Sequence, residues 1–344
     1  IIAKARRPLI AVGLTAARLG LGLSLVQLLE SIPAPVVLTP MAKGLLPEMH
    51  PCYAGVLFHA CSDRLTDITR QADLVIGLGY DPVEFDYEAW LPPVPLIHID
   101  SAPVDLPPPY DMAAMCVGDL PAAMDVLSTL APRKTLWDFE ELARHRARLS
   151  AALRPPSKGL GPSDTLDILR DVLPPDGILT CDVGAHTHLI GQLWPTPSPN
   201  HLLMTNGWSS MGFGIPAALA AAICQSETPV VCVTGDGGFT MMAGELITAR
   251  RLGLNVVVLV LVDRMLSLIE VKQGWKQVPA DTSQLYEDSF LGADRIFGVP
   301  VLKADSAPTL RSALGKAFEM TGPVVVEADI DGSAYHQLIA RTYK

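Results

Sequence analysis

The 344-residue chain has no apolar run near the ~20 residues that a membrane-crossing helix needs; runs such as Val256–Val262 are the size of a strand. It has no basic surplus either, with 26 Lys and Arg against 36 Asp and Glu and a net charge of −10. Nucleic-acid phosphates are bound by clustered cations, so neither nucleic acid nor membrane is expected as a partner. The six cysteines contain no CxxC pair, which removes a common metal-ligand spacing, and a disulfide framework does not suit a chain this long. They are expected as buried, reduced thiols of a cytoplasmic protein. Charged residues are few, at 18%, against 49% hydrophobic ones, a balance that excludes a disordered chain. A GxGxxG fingerprint is missing from both halves, which ranks a nicotinamide dehydrogenase last among enzyme readings. No initiator methionine or signal-peptide core opens the chain. Ile1-Ile-Ala-Lys-Ala-Arg-Arg-Pro8 reads as the end of a helix entering a strand, so a preceding piece is expected.

What is present is a repeated alternation of short apolar strands and helices. Pro8–Gly13, Val36–Thr39, Asp73–Gly79 and Leu96–Asp100 read as strands, with a helix over Leu19–Ser31. From Pro132 the composition changes: a charged helix over Trp137–Leu153 is followed by the breaker-rich Pro155-Pro-Ser-Lys-Gly-Leu-Gly-Pro162. The alternation then restarts. A helix over Ser163–Leu173, with Ser163 placed to cap it, precedes strands at Gly177–Gly184, His201–Thr205, Pro229–Gly235, Asn255–Asp263 and Pro323–Ile330. Helices are expected at Gly212–Cys224, Met241–Leu252 and Ala307–Met320. Continuous apolar strands alternating with helices indicate parallel sheets covered on both faces. The expected class is α/β, with two doubly wound, mainly parallel sheets in domains 1–131 and 163–344, joined by a linker over 132–162.

One segment carries chemistry. Gly235-Asp236-Gly237-Gly238-Phe239 follows an apolar strand and opens a helix. Glycines there admit an anion close to the backbone, and a helix N-terminus offers N–H groups without acceptors. A carboxylate in that turn repels a bare phosphate, but suits one bridged by a divalent cation, since Mg²⁺ takes oxygen ligands. By itself the turn is also readable as a tight bend with Asp236 capping the helix. Asp263, at the carboxyl end of the next strand, sharpens the first reading: successive parallel strands end on one edge, so both carboxylates can face one crevice.

The pattern resembles the thiamine-diphosphate motif of the acetolactate synthase/pyruvate decarboxylase group of thiamine-dependent enzymes. Further stretches fit in family order. Ala5–Gly13, Pro40-Met-Ala-Lys-Gly44, Glu48-Met-His-Pro51, Ala72–Gly79 and His98-Ile-Asp100 are similar to the central domain; Asp182–Thr187 and Gly207–Ala218 are similar to the diphosphate-binding domain. The resemblance implies thiamine diphosphate and Mg²⁺ as cofactors. It makes Asp236 and Asp263 side-chain ligands of the metal, with the Met265 carbonyl as its main-chain ligand. Gly235, Gly237, Gly238, Phe239, Leu266 and His186 would surround the cofactor, His186 at its diphosphate end. Met211 would be the apolar wedge that bends the cofactor, and Ser209 would offer a backbone carbonyl to its aminopyrimidine.

The implied activity is decarboxylation of a pyruvate-like 2-oxo acid with carboligation to a second carbonyl, as a transferase or lyase. A simple 2-oxo acid decarboxylase, a C–C lyase and a non-catalytic scaffold are the alternatives. The Glu that activates the cofactor in this group lies in an N-terminal pyrimidine-binding domain, expected here from a missing upstream region or another chain, in a homodimer or homotetramer. Three departures mark this sequence. Val262-Asp263 stands where the group has Asn-Asn, Lys272 where acetolactate synthases carry Trp, and Ala185 where a Gln precedes the histidine. Val12–Arg18 lacks a Gly-rich run, so FAD is not expected.

Overall fold

The computed structural model describes residues 1–81, 84, 90–104, 111–205, 207–286 and 290–339. It divides into two compact units, Ile1–Ala152 with Pro195–Pro199, and Leu153–Trp194 with the described residues from Asn200 to Ile339.

The first unit holds a six-stranded, wholly parallel sheet in the order β3-β2-β1-β4-β5-β6. Its strands are β1 (Pro8–Val12), β2 (Val36–Leu38), β3 (Tyr53–Val56), β4 (Leu74–Leu78), β5 (Leu96–Asp100) and β6 (Met112–Val117). All but β6 are buried along their length, as expected of strands covered on both faces. The winding reverses between β1 and β4, the place where such folds usually leave a ligand crevice. Here the Glu84 carboxylate stands in it, accepting from Leu14 N (2.8 Å) and from Thr39 Oγ1 (2.6 Å).

The charged helix forms over Phe139–Ala152 and packs on this first unit. Its apolar side buries Leu142 and Leu149, and Arg146 reaches the carbonyls of His50, Pro51 and Tyr53 at 2.9–3.1 Å. Lys43 is buried and meets Glu48 at 2.9 Å; Glu48 also accepts from Thr196 N.

The second unit carries a seven-stranded sheet ordered β11-β12-β13-β10-β9-β7-β8. Its members are β7 (Ile178–Cys181), β8 (Leu202–Leu203), β9 (Val230–Gly235), β10 (Val256–Val262), β11 (Arg295–Ile296), β12 (Val299–Ala304) and β13 (Val324–Asp329). All pairs are parallel except the β11–β12 edge. The central β10, Val-Val-Val-Leu-Val-Leu-Val, is buried at all seven positions, with helices Gly214–Cys224 and Glu245–Leu252 contributing to the same core. From β7 the chain runs outward to β8 and returns to β9 on the other side of β7. The topological switch therefore falls between β7 and β9, at the carboxyl end of the strand that Asp236 directly follows.

Three expectations are corrected. The 163–173 helix is Pro162–Val172, capped from Gly161; Ser163 lies inside it, and its hydroxyl donates to Leu153 O (2.6 Å). Proline at the first position starts the helix one residue earlier, because its missing N–H costs nothing there. The helix opened by Gly235–Phe239 is Asp236–Met242, as expected, but it takes in Met241, so the helix expected at Met241–Leu252 starts only at Glu245. The thiols divide: Cys52, Cys61, Cys181 and Cys232 are buried, whereas Cys116 and Cys224 are exposed. Strands β3, β6, β11 and β12 escaped the sequence reading, since they are short, exposed at an edge or interrupted by polar residues. Among the described residues no helix is long and apolar enough to cross a membrane.

Substituting Glu48→Ala leaves the Lys43 ammonium buried without its carboxylate. Because Glu48 is itself partly exposed, the expected loss is about 3 kcal/mol, read from urea denaturation.

Candidate functional site

The carboxyl ends of β7, β9 and β10 surround a cleft with ≈ 630 Å³ of space that is continuous with solvent. Val183–His186, Met211, Gly235–Gly238, Asp263, Met265–Ile269 and Tyr335 line it. Of the residues singled out from sequence, His186, Met211, Gly235, Asp236, Gly237, Gly238, Asp263, Met265 and Leu266 line this cleft. Two do not. Phe239 points into the core, buried edge-on against Phe290 at 5.7 Å. Ser209 sits in the loop before Met211 and is half-buried, outside the lining. Lys272 is exposed and also outside it.

Asp236 opens its helix with a carboxylate that is 2% exposed. Its Oδ1 accepts from Gly237 N (2.8 Å), and its Oδ2 from Arg264 N (2.9 Å) and from the Tyr286 hydroxyl (2.6 Å). Burial raises its pKa, against those hydrogen bonds. Asp263 accepts from Ser267 Oγ and from Met265 N. Its carboxyl is pushed up to about 7, first by burial; the Ser267 bond opposes the shift and the negative charge of Asp236 adds to it. Two acids that discourage each other's ionisation in a buried cleft are a site that a divalent cation relieves. Among the described residues no group of three or more His, Cys, Asp or Glu is placed to hold a metal ion, in this cleft or outside it. A cation here would draw on two carboxylates, a main-chain carbonyl and the oxygens of its ligand, a set suited to Mg²⁺.

The glycines explain why an anion can come close. A Cβ on Gly238 would stand 2.9 Å from Asp182 Oδ2 and from Thr234 Oγ1; one on Gly237 would meet the ends of Leu266 and Met211 at 2.9 and 3.1 Å. His186 is buried against Gly184 and Gly235, and its Nε2 has no hydrogen-bond partner. Burial lowers its pKa to about 4, against the charge of the nearby Asp182, so the ring is neutral at pH 7. A glycine cradle, an unpartnered buried ring nitrogen and a strained carboxylate pair together fit a diphosphate with its cation.

Sequence reasoning gave no role to Asp182, Ser267, Tyr286 or Tyr335. Asp182 is fully buried, accepting from Val183 N (2.6 Å), Gly212 N (2.8 and 3.1 Å) and Thr234 Oγ1 (3.3 Å). Its place at the end of an apolar strand was a visible signal. Tyr286 comes 50 residues after Asp236 in a segment without periodicity, and nothing local marks it.

A glycine turn at the switch point and two carboxylates along the carboxyl edge of a mainly parallel sheet mark this chain as an α/β protein with an open cleft at that edge. Residues 182–328 match the model described as "Thiamine pyrophosphate enzyme, C-terminal TPP binding domain", and residues 1–127 match "Thiamine pyrophosphate enzyme, central domain". The chain belongs to the thiamine pyrophosphate enzyme family. It is 26% identical over 343 residues to "Acetolactate synthase" of Bacillus subtilis (strain 168), covering 96% of this chain and 60% of that protein. It is 27% identical over 350 residues to "Acetolactate synthase isozyme 3 large subunit" of Escherichia coli (strain K12), again 96% and 60%. The "Acetolactate synthase large subunit" of Haemophilus influenzae stands at 27% over 349 residues, with 96% and 60% covered. The chain thus spans about 60% of the length of these curated relatives.

Two measurements check this geometry. Gly238→Ala should cost about 1–3 kcal/mol in urea denaturation, because its Cβ strikes the fixed Asp182 and Thr234 oxygens. Gly237→Ala should cost less, since flexible side-chain ends can move aside. The second measurement follows pH. A carboxyl whose folded pKa, about 7, lies above its unfolded 3.8 favours the fold while protonated. That contribution is present below the unfolded value and is lost as pH rises through about 7. The Tm of the metal-free chain should therefore fall between pH 5 and 8, and Asp263→Asn should flatten that slope.

Proposed function

We propose that this chain holds thiamine diphosphate through Mg²⁺ and takes part in decarboxylating a pyruvate-like 2-oxo acid, with carboligation to a second carbonyl in the manner of an acetolactate synthase. The observation that carries this reading is the pairing of Asp236 and Asp263 across one buried cleft, beside a glycine turn and the unpartnered Nε2 of His186. Asp236 and Asp263, with the Met265 carbonyl, hold the cation. The first turn of the helix at Asp236 and the His186 ring face the diphosphate, whose charge favours the protonated imidazole. Gly237's own N–H is already given to Asp236 Oδ1, so the Gly238 and Phe239 N–H groups are the ones left for the ligand.

Met211 closes the cleft beside Gly237 as the apolar wedge, and Ser209 offers its carbonyl from the same loop. Leu261, Leu266 and Ile269 line the cleft with hydrocarbon, which keeps water from the reacting carbon and strengthens charge interactions there. When bound, thiamine diphosphate supplies the nucleophilic carbon and the electron sink that decarboxylation requires. The protein's share is orientation and exclusion of water.

A pyrimidine-binding domain, from the same longer protein or another chain, would complete the site in a homodimer or homotetramer. Trp208 is fully exposed in the Met211 loop, and Ile269 is 47% exposed at the cleft, which suits a covering partner. No flavin is included in the proposal; Glu84 stands in the crevice of the first sheet. The protein is proposed to act in the cytoplasm.

Calorimetric titration with thiamine diphosphate tests the reading, with Mg²⁺ and then with EDTA. Binding should require Mg²⁺ and weaken at least 100-fold in Asp236→Ala. Incubation with pyruvate then reads the product: acetolactate supports carboligation, acetaldehyde simple decarboxylation. Absence of heat even with a pyrimidine-binding domain supplied would overturn the enzyme reading in favour of a scaffold.

A further inference from the structure

Residues Ser283–Tyr286 run antiparallel to the loop that follows β10. Leu266 N donates to Ser283 O (2.8 Å), Leu285 N donates to Arg264 O (2.9 Å), and Met265 faces Gln284 in the bridge between them. In that register Met265 and Gln284 are the non-hydrogen-bonded pair, so the pairing uses the main chain of Arg264 and Leu266. It turns the Met265 carbonyl away from Gln284.

The same segment delivers the Tyr286 hydroxyl to Asp236 Oδ2 at 2.6 Å. With Arg264 N on Oδ2, Gly237 N on Oδ1 and the Asp263 main chain also bonding to it, donors surround that carboxylate. Its plane is thereby fixed. The Tyr286 ring is held in turn: it stacks on Phe290 (5.3 Å, 24° between planes), and Phe290 meets Phe239 edge-on within the first turn of the Asp236 helix. Arg264 adopts a left-handed backbone (φ 65°), and its side chain forms two hydrogen bonds to Asp329 at 2.7 and 2.9 Å. That anchor keeps the Arg264 N–H aimed at Asp236.

We infer that Tyr286 is a positioning residue for the divalent cation: the 283–286 strap holds the Asp236 carboxylate and the Met265 carbonyl in the geometry the metal needs before it arrives. The inference rests on the proposed reading of those two groups as ligands. Mg²⁺ demands near-octahedral oxygens at about 2.0–2.1 Å and tolerates misplaced ligands poorly, so a carboxylate locked in plane should bind it more tightly than one free to turn. Losing a group that orients a ligand typically costs about 10–100-fold in metal affinity.

The test is Tyr286→Phe, which removes the hydroxyl and keeps the ring stack. Mn²⁺ affinity, read by electron paramagnetic resonance on the intact chain with and without thiamine diphosphate, should weaken about 10-fold or more, while Tm changes little. Phe290→Leu, which loosens the stack and leaves the hydroxyl, should lower Tm and move Mn²⁺ affinity less than Tyr286→Phe does. Equal Mn²⁺ affinity in wild type and Tyr286→Phe would overturn the inference, as would an equal loss in Phe290→Leu, which would assign the effect to packing. If wild type binds Mn²⁺ but no thiamine diphosphate, the cofactor reading fails and the Mn²⁺ comparison still decides the role of Tyr286. If Tyr286→Phe does not fold, the Mn²⁺ affinity of Tyr286→Trp replaces it, with the same loss expected and an unchanged value overturning the inference. No Mn²⁺ binding by wild type sinks both.

Discussion

A carboxylate without contact with water sits at the switch point of the second sheet, and the cleft is built around it. Asp182 ends β7, receives N–H groups from Val183 and Gly212 and accepts the Thr234 hydroxyl from the end of β9. One side chain thereby fixes the relative height of two strand ends and the loop that carries Met211. A buried charge is tolerated only when its lone pairs are filled, and here four hydrogen bonds to three donor groups fill them. The glycines follow from this constraint. Gly214 and Gly238 pack so close to Asp182 that any Cβ would displace it, so the chain can bend past the carboxylate only without side chains at those positions.

On that frame the second layer of the site is electrostatic. Asp236 and Asp263 are held where burial and mutual repulsion disfavour their charged forms, which is a cost in the bare chain and an attraction for a cation. His186 is the counterpart: burial keeps it neutral even with the Asp182 charge nearby. The same cleft is thus prepared for both signs of charge, each stabilising the other. The two sheets also treat their switch points differently. In the first, a side chain of the protein itself, Glu84, stands between the strands; in the second, space is kept open.

Much of this was legible from residues alone. The continuous apolar strands Leu74–Leu78 and Val256–Val262 could only be covered on both faces, so the α/β class and the parallel sheets followed from hydrophobicity. Asp236 and Asp263 could be placed on one edge because parallel strands separated by one crossover end together. Ser163 shows the weaker side of such reasoning. A capping serine and a core serine have the same local sequence, and which it becomes depends on a carbonyl ten residues upstream.

What the sequence determined by itself is therefore what short-range pattern encodes: strand periodicity, the glycine turn, and the spacing that brings two acids to one edge. Only the tertiary structure decided which groups complete the site. Asp182, Tyr286 and Tyr335 arrive from segments far apart in the chain, and Phe239 turns away from the cleft that its neighbours line. The physical reason is that a hydrogen bond to a buried carboxylate is specified by position in space. No periodicity in the chain records that a hydroxyl 50 residues on will come within 2.6 Å of Asp236.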